Sequence, residues 1–316
     1  FLATLTYGAV AVPILHEFHP EQIQHIVNHS ESRILFVGDL VWKKINANEM
    51  PNLEGIIQLN DWTLLSAKNN KLKDTVENLN KCFGEKYPTS FGQKDIAYHA
   101  DEPEELAIIN YTSGTTSNSK GVMIPYRAIV GNMMCAVELI GNNAKVGDTL
   151  LSMLPLAHMF GQLADFLYPF SAGATIYYLT KAPTPSILLK AMADVKPYLV
   201  ATVPLVIEKI HKKKLDPLLS KAVLKFCWYT PGIMNLIRAY VKKSLVKAFG
   251  GQVRYFLCGG AAMNPVVEKC LMDVNFPLSI GFGMTECGPL VSGLPPKYFK
   301  RRSCGAPVPP YIRRCR

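Results

Sequence analysis

Through residues 149–280, short apolar runs alternate with helix-length segments, and this alternation limits the fold more than any other feature. Residues 149–154, 174–179, 198–203, 253–258 and 277–280 read as strands. Residues 160–170, 186–194, 204–214, much of 217–249, and 265–272 read as helices between them. Strands joined through helices pair in parallel, because a parallel connection needs a crossover of about a dozen residues or more. The chain opens in the same way. Residues 9–15, 33–37 and 55–59 read as strands, and Pro20 starts a helix whose Ile23, Ile26 and Val27 share one face. The polar break over 141–148 marks a boundary. The expected fold class is α/β, with two packed αβ subdomains over 1–140 and 141–290, largely parallel sheets, and helices on their faces.

Composition narrows the functional classes. The chain has 316 residues, 49% hydrophobic and 18% charged, which is enough for a large globular core. Its formal charge is +10, with clusters at Lys212-Lys213-Lys214, Lys300-Arg301-Arg302 and Arg313-Arg314. These clusters are short, scattered and not interleaved with aromatics, so no nucleic-acid partner is expected, while a phosphate-rich substrate would gain from the positive field. The eight cysteines, Cys82, Cys135, Cys227, Cys258, Cys270, Cys287, Cys304 and Cys315, show no C-x-x-C spacing. Free, mostly buried thiols and a reducing, cytoplasmic compartment are expected. The most apolar region, 150–179, is broken by Pro155, His158, Asp165 and Pro169, and so reads as strand-helix-strand and not as a membrane span. His25 and His29 have a metal-binding spacing on a helix, but no third ligand is near, which favours a solvated face. Phe1 at the start, and the uncapped end at Arg316, read as a piece of a longer protein.

The first stretch with chemistry is Tyr111-Thr112-Ser113-Gly114-Thr115-Thr116-Ser117-Asn118-Ser119-Lys120-Gly121-Val122. Apolar runs at 105–110 and 121–125 flank it. The loop offers hydroxyls, backbone N–H groups and one ammonium, which suits a polyphosphate. Taken alone, it is equally an ordinary turn between strands. It is not a Walker loop. Gly114 and Lys120 have that spacing, but Ser119 stands where the second glycine belongs, and Gly121 where the magnesium-binding Ser or Thr belongs.

Two later strands also run into glycine loops, Gly259-Gly260-Ala261 and Gly281-Phe282-Gly283-Met284-Thr285-Glu286. In open α/β sheets, ligands bind at the carboxyl ends of strands. Bare glycine backbone lets a flat ring approach closely, and Phe282 can stack on it. Thr285 can donate to a phosphate oxygen, and Glu286 can hold Mg²⁺. Each loop alone is also a plain tight turn; three together favour a nucleotide site.

These motifs, with Leu154-Pro155-Leu156-Ala157-His158-Met159-Phe160-Gly161 between them, occur in the order seen in the adenylate-forming acyl-CoA synthetases. The chain resembles that family over nearly its whole length, and Ala201-Thr202-Val203-Pro204-Leu205-Val206-Ile207-Glu208-Lys209-Ile210 looks most like its long-chain fatty acid branch. Ser117 and Ser119 depart from the glycine and proline more usual there. Phe282 replaces the usual tyrosine, keeping the ring and losing a hydroxyl.

The resemblance implies an acid–thiol ligase. A fatty acid carboxylate would attack the α-phosphate of ATP to give acyl-adenylate and pyrophosphate, and coenzyme A would then displace AMP. It implies that Thr112, Ser113, Gly114, Thr115, Thr116, Ser117 and Lys120 close over the β- and γ-phosphates, and that Glu286 and Thr112 hold Mg²⁺. Gly259, Gly260, Ala261, Gly281, Phe282, Gly283 and Met284 would surround adenine, and Thr285 would contact the α-phosphate. His158 would lie between the nucleotide and acyl pockets; without the resemblance it reads as a satisfied core histidine. Catalytic roles fall to Thr285, Glu286, Lys120 and His158. Residues 291–316 would begin a third, β-barrel-like subdomain. The family's ribose-binding aspartate, its arginine and its C-terminal lysine domain would follow Arg316, so little adenylation activity is expected of this piece. Alternatives are an adenylating ligase using a carrier protein or an aryl or amino acid, and a non-catalytic nucleotide- or lipid-binding protein on the same fold. Long-chain substrates partition into lipid, which makes peripheral membrane contact an expectation too.

Overall fold

The structure is a computed structural model. It describes residues 1–100, 102–112, 119–140, 144–179, 183–219, 228 and 230–308. The chain forms two compact units, 1–126 and 127–316.

In the first unit, β1 (Ile34–Val37) and β2 (Gly55–Gln58) pair in parallel, and β3 (Leu64–Ala67) adds antiparallel to β2. The helix Pro20–His29 buries Ile23, Ile26 and Val27, the face its spacing predicts. Ile23 and Val27 pack with Val37, Met50, Leu53 and Ile56. β4 (Leu106–Thr112) and β5 (Lys120–Pro125) form a separate antiparallel hairpin, so this unit holds antiparallel pairs beside the parallel β1–β2 pair. The strand expected over 9–15 reduces to one bridge, Ala11 to Ile108. Ala11 exchanges both backbone bonds with β4, at 2.9 and 3.0 Å. Two residues on, Pro13 has no N–H to continue the ladder.

The second unit holds a five-stranded sheet, β10-β9-β8-β6-β7, with every pair parallel. The strands are β6 (Thr149–Ser152), β7 (Thr175–Tyr178), β8 (Leu199–Thr202), β9 (Tyr255–Cys258) and β10 (Leu278–Ile280). Side chains alternate between its faces. Leu151, Val200, Phe256 and Cys258 join one core with Ile207, Val241, Leu245 and Leu271. Leu150, Leu199 and Leu257 join the other, with Ala136, Ile140, Leu163 and Tyr168. Covering both faces is why these strands read as nearly continuous apolar runs. Burying one Leu or Ile contributes about 1.5–3 kcal/mol.

The helix Tyr126–Ile140 starts at the junction between the units, and its Ala136 and Ile140 pack in the second. The unit boundary therefore falls before this helix, where the polar break places it after. The helical segment after β6 is not uniform: it runs through a π-helical turn, Gln162–Leu167. A small antiparallel sheet, β11 (Phe282–Gly283), β12 (Leu290–Gly293) and β13 (Ala306–Pro307), follows β10. Among the described residues, no helix is long and apolar enough to cross a membrane.

Candidate nucleotide and acyl site

The sheet of the second unit changes direction between β6 and β8. The chain goes out from β6 to the edge strand β7, then returns past β6 to β8 and continues outward. A crevice forms at such a switch point, outside the carboxyl ends of the strands. The residues that follow these strand ends, Leu154 after β6, Val203 after β8, Gly259 after β9 and Gly281 after β10, all line one cavity of about 410 Å³. Its far wall is apolar: Ala136, Leu139 and Ile140 from one helix, and Leu163, Ala164 and Tyr168 from the segment after β6. Among the described residues, no Asp, Glu, Lys or Arg lines it.

The mouth is made of backbone. Gly260 has φ +83°, a left-handed conformation open to glycine, and turns the chain away from β9. A Cβ at Gly283 would run into the Pro289 carbonyl, so β11 can lie this close to the Pro289 segment only with glycine there. Phe282 is exposed on β11, opposite Ser292. Thr285 and Glu286 sit on the short turn Thr285–Cys287 that follows.

That turn is fixed from below by a residue the sequence reading passes over. Asn132 is buried, and its amide nitrogen donates to the carbonyls of Ala128 at 2.9 Å and Cys287 at 3.1 Å. Its Oδ1 accepts from the Leu290 N–H at 2.8 Å. Gly288, at φ +69°, lies so close that a Cβ there would stand 3.1 Å from the Asn132 amide nitrogen. The signal was available: Asn132 is a polar residue in line with Ala128, Cys135 and Ala136 on the apolar face of its helix.

Several sequence-predicted residues meet in this cavity. His158, Gly259, Gly260, Gly281, Phe282, Gly283, Met284 and Thr285 line it. Ala261 and Glu286 are exposed and do not. Glu286 makes no ion pair or hydrogen bond to another described residue. Cys258 lines the wall, but burial pushes its thiol up to about 12, so it is no thiolate nucleophile at neutral pH. Burial likewise pushes Tyr168 up to about 12, which keeps its hydroxyl neutral.

In the first unit, Thr112 and Lys120 form the last register pair of the β4–β5 hairpin, with Lys120 exposed. Ser113, Gly114, Thr115, Thr116 and Ser117 lie outside the described residues. The base of the hairpin is firm: a Cβ at Gly121 would press on Ile109 and the Tyr111 ring, and the Tyr111 hydroxyl bonds His29 Nδ1 at 2.7 Å. His29 is therefore more than a solvated helix residue. Among the described residues, no group of three or more His, Cys, Asp and Glu could hold a metal ion. Mg²⁺ takes oxygen ligands, commonly one or two carboxylates plus substrate phosphates. The exposed carboxylate of Glu286 suits an ion that arrives with a nucleotide, and Thr112 adds a hydroxyl of the right kind in its own unit.

The AMP-binding enzyme family matches residues 1–313. The chain is 29% identical over 229 residues to long-chain-fatty-acid–CoA ligase 1 of Saccharomyces cerevisiae, covering 65% of this chain and 32% of that protein. It is 26% identical over 327 residues to long-chain-fatty-acid–CoA ligase 5 of Rattus norvegicus, covering 97% of this chain and 47% of that one. The chain thus spans about half or less of the length of these relatives. Among solved structures, an anthranilate CoA ligase bound to anthranoyl-AMP aligns with a TM-score of 0.68 at 18% identity, over 96% of this chain and 50% of that one. A long-chain-fatty-acid-CoA ligase from Archaeoglobus fulgidus aligns at 0.65 and 19% identity, over 97% and 54%. These likenesses carry the α/β fold, and the family match carries the assignment: the chain belongs to the AMP-binding enzymes.

Proposed function

We propose that this chain is the nucleotide- and acyl-binding part of a fatty acid–CoA ligase. The observation that carries the reading is the cavity itself: about 410 Å³, walled by apolar side chains, without one charged residue among the described residues that line it, and bordered by the glycine turns at Gly259–Gly260 and Gly281–Gly283. An amino acid substrate would bring an ammonium group that needs a carboxylate in the wall, and a dicarboxylate would need a cation. A fatty acid needs neither. Its tail gains by leaving water, and its carboxylate is left at the polar mouth near His158 and Thr285.

The chemistry follows from the weakness of a carboxylate as an acyl donor. Attack of the carboxylate oxygen on the α-phosphate of ATP expels pyrophosphate and leaves an acyl-adenylate, whose AMP is then displaced by the thiol of coenzyme A. The protein contributes alignment and charge neutralisation. Thr285 donates to the α-phosphate and Phe282 stacks on adenine over the bare glycine turn, while in their own unit Thr112 and Lys120 offer a hydroxyl and an ammonium of the kind phosphates bind. Glu286 would hold Mg²⁺ in the second unit, Thr112 offers a hydroxyl of the right kind in the first, and the ion would offset phosphate charge.

The test is displacement of a fluorescent fatty acid from the chain. Palmitate should displace it at lower concentration than octanoate, while benzoate and leucine should fail. Benzoate or leucine binding where palmitate does not would overturn the fatty acid reading in favour of an aryl or amino acid.

A further inference from the structure

The loop that carries His158 is tied down by a carboxyl group the cavity never touches. β6 ends at Ser152, and the next two amides leave the sheet without ladder partners. Both donate to Oδ2 of Asp165, Met153 at 2.8 Å and Leu154 at 2.9 Å. Asp165 is 0% exposed and sits on the π-helical turn Gln162–Leu167. Single π turns are frequent where a helix has been bent to a purpose. Leu154, Pro155 and His158 on the loop line the cavity, as do Leu163 and Ala164 on the turn. Asp165 itself does not, so it joins two parts of the wall from behind.

The loop is otherwise compact. The His158 N–H bonds the Pro155 carbonyl at 3.0 Å, and the Gln162 N–H bonds the His158 carbonyl at 2.9 Å. A Cβ at Gly161 would run into the Pro155 carbonyl, so the return of the chain is tight. The Asp165 bonds fasten this compact loop to the end of the sheet.

Among the described residues, no charge balances the carboxyl. Asp165 is the only Asp, Glu, Lys or Arg within 149–179. It makes no ion pair among the described residues, and Oδ1 makes no hydrogen bond. The titratable groups on the elements around it are His158 on the loop, Tyr168 just past the turn, and Tyr177 and Tyr178 on β7; the Ser152 hydroxyl lies beside it. The amide atoms of Gln162, on the same turn, are buried and also unpartnered.

We propose that Asp165 is the positioning residue of the cavity wall: it latches the His158 loop to the end of β6, and the latch opens when its buried side chain has to carry charge. The link to acyl binding rests on the fatty acid reading of the cavity; the latch does not. Burial pushes the carboxyl up to about 7, against the pull of the Leu154 and Met153 amides and the Ser152 hydroxyl. With the latch open and the group in water, it titrates near its ordinary 3.8. Between these values closing takes up a proton, so the closed form is favoured at low pH. Opening then rises by up to about tenfold per pH unit and levels above about 7.

Hydrogen exchange of the Met153 and Leu154 amides in the ligand-free chain tests this, after correction for the intrinsic pH dependence of exchange. The wild type should show that rise and plateau. Asp165→Asn keeps an uncharged oxygen for both amides and should give a flat profile. Asp165→Leu should lose protection at these two amides while Val200 and Phe256 in the sheet keep theirs. A matching pH profile for wild type and Asp165→Asn would overturn the proposal, as would unchanged Met153 and Leu154 protection in a folded Asp165→Leu. Palmitate titration is the second arm: wild type should lose several-fold affinity relative to Asp165→Asn between pH 5.5 and 8.5. Absence of palmitate binding at every pH, beside the expected exchange profile, would remove the acyl reading alone and leave the latch supported.

Discussion

At the scale of single residues, the site divides between groups that carry charge and groups that leave space. Lys120 is an exposed ammonium at the start of β5, and Glu286 an exposed carboxylate in the Thr285–Cys287 turn. A hydrogen bond to a charged group contributes about 1.5–3 kcal/mol, so Lys120→Ala should weaken ATP binding by about 10- to 100-fold. Glu286→Gln should abolish the extra thermal stabilisation that Mg²⁺ adds to ATP, while leaving that of ATP alone. Both are measured by thermal shift with ATP in the presence and absence of Mg²⁺. Unchanged stabilisation in Lys120→Ala would remove the lysine from the phosphate site. The glycines act by absence. Gly283→Ala would collide with the Pro289 carbonyl, a backbone atom with no room to retreat, and should weaken nucleotide binding by displacing β11.

At the scale of elements, the helix Tyr126–Ile140 is both wall and anchor. Ala136, Leu139 and Ile140 line the cavity, and Asn132 one turn earlier holds the Thr285 turn through Cys287 and Leu290. Asn132→Leu fits the apolar face but strands the half-buried Cys287 carbonyl and Leu290 N–H, each worth about 1–3 kcal/mol. Urea denaturation should show a loss of about 2–5 kcal/mol, and a loss under 1 kcal/mol would mean that the turn finds other partners. Ala164 is buried in the same apolar wall. Ala164→Phe should fill part of the cavity and weaken palmitate more than octanoate, as measured by probe displacement; equal weakening would place the tail elsewhere. Most of these elements were legible. The strands of the second unit follow from β-rich apolar runs, and Pro185 and Pro265 mark helix starts at which Thr184 and Asn264 accept bonds from the first-turn amides. The edge of legibility lies at 9–15, where the pattern was that of a strand and one proline stopped the pairing.

At the scale of the whole molecule, two buried titratable groups pull stability in opposite directions with pH. Asp165 has a raised folded-state pKa of about 7, so the stability it contributes is full at low pH and is lost as pH rises toward 7. His211 is held below its ordinary value by burial, although Asp216 opposes this, so its contribution is present at higher pH and is lost as pH falls below about 6.5. The difference between wild type and Asp165→Asn isolates the first term. The urea midpoint of the wild type should fall relative to the variant between pH 5 and pH 8, and an equal midpoint shift in both would discount the carboxyl.

The sequence by itself determined the α/β class, the parallel sheet of the second unit and the chemical identity of the mouth. Those depend on local patterns: two-residue alternation, helix starts, and glycines where a strand must turn. The order of its motifs, through the family resemblance, also grouped His158 with the two glycine loops. Only the tertiary structure decided that the carboxyl ends of β6, β8, β9 and β10 open into one cavity, because strand order is set by long-range packing and not by neighbours in the chain. Only it could show that Asn132 and Asp165, polar residues within mostly apolar stretches, hold parts of that cavity's walls in place.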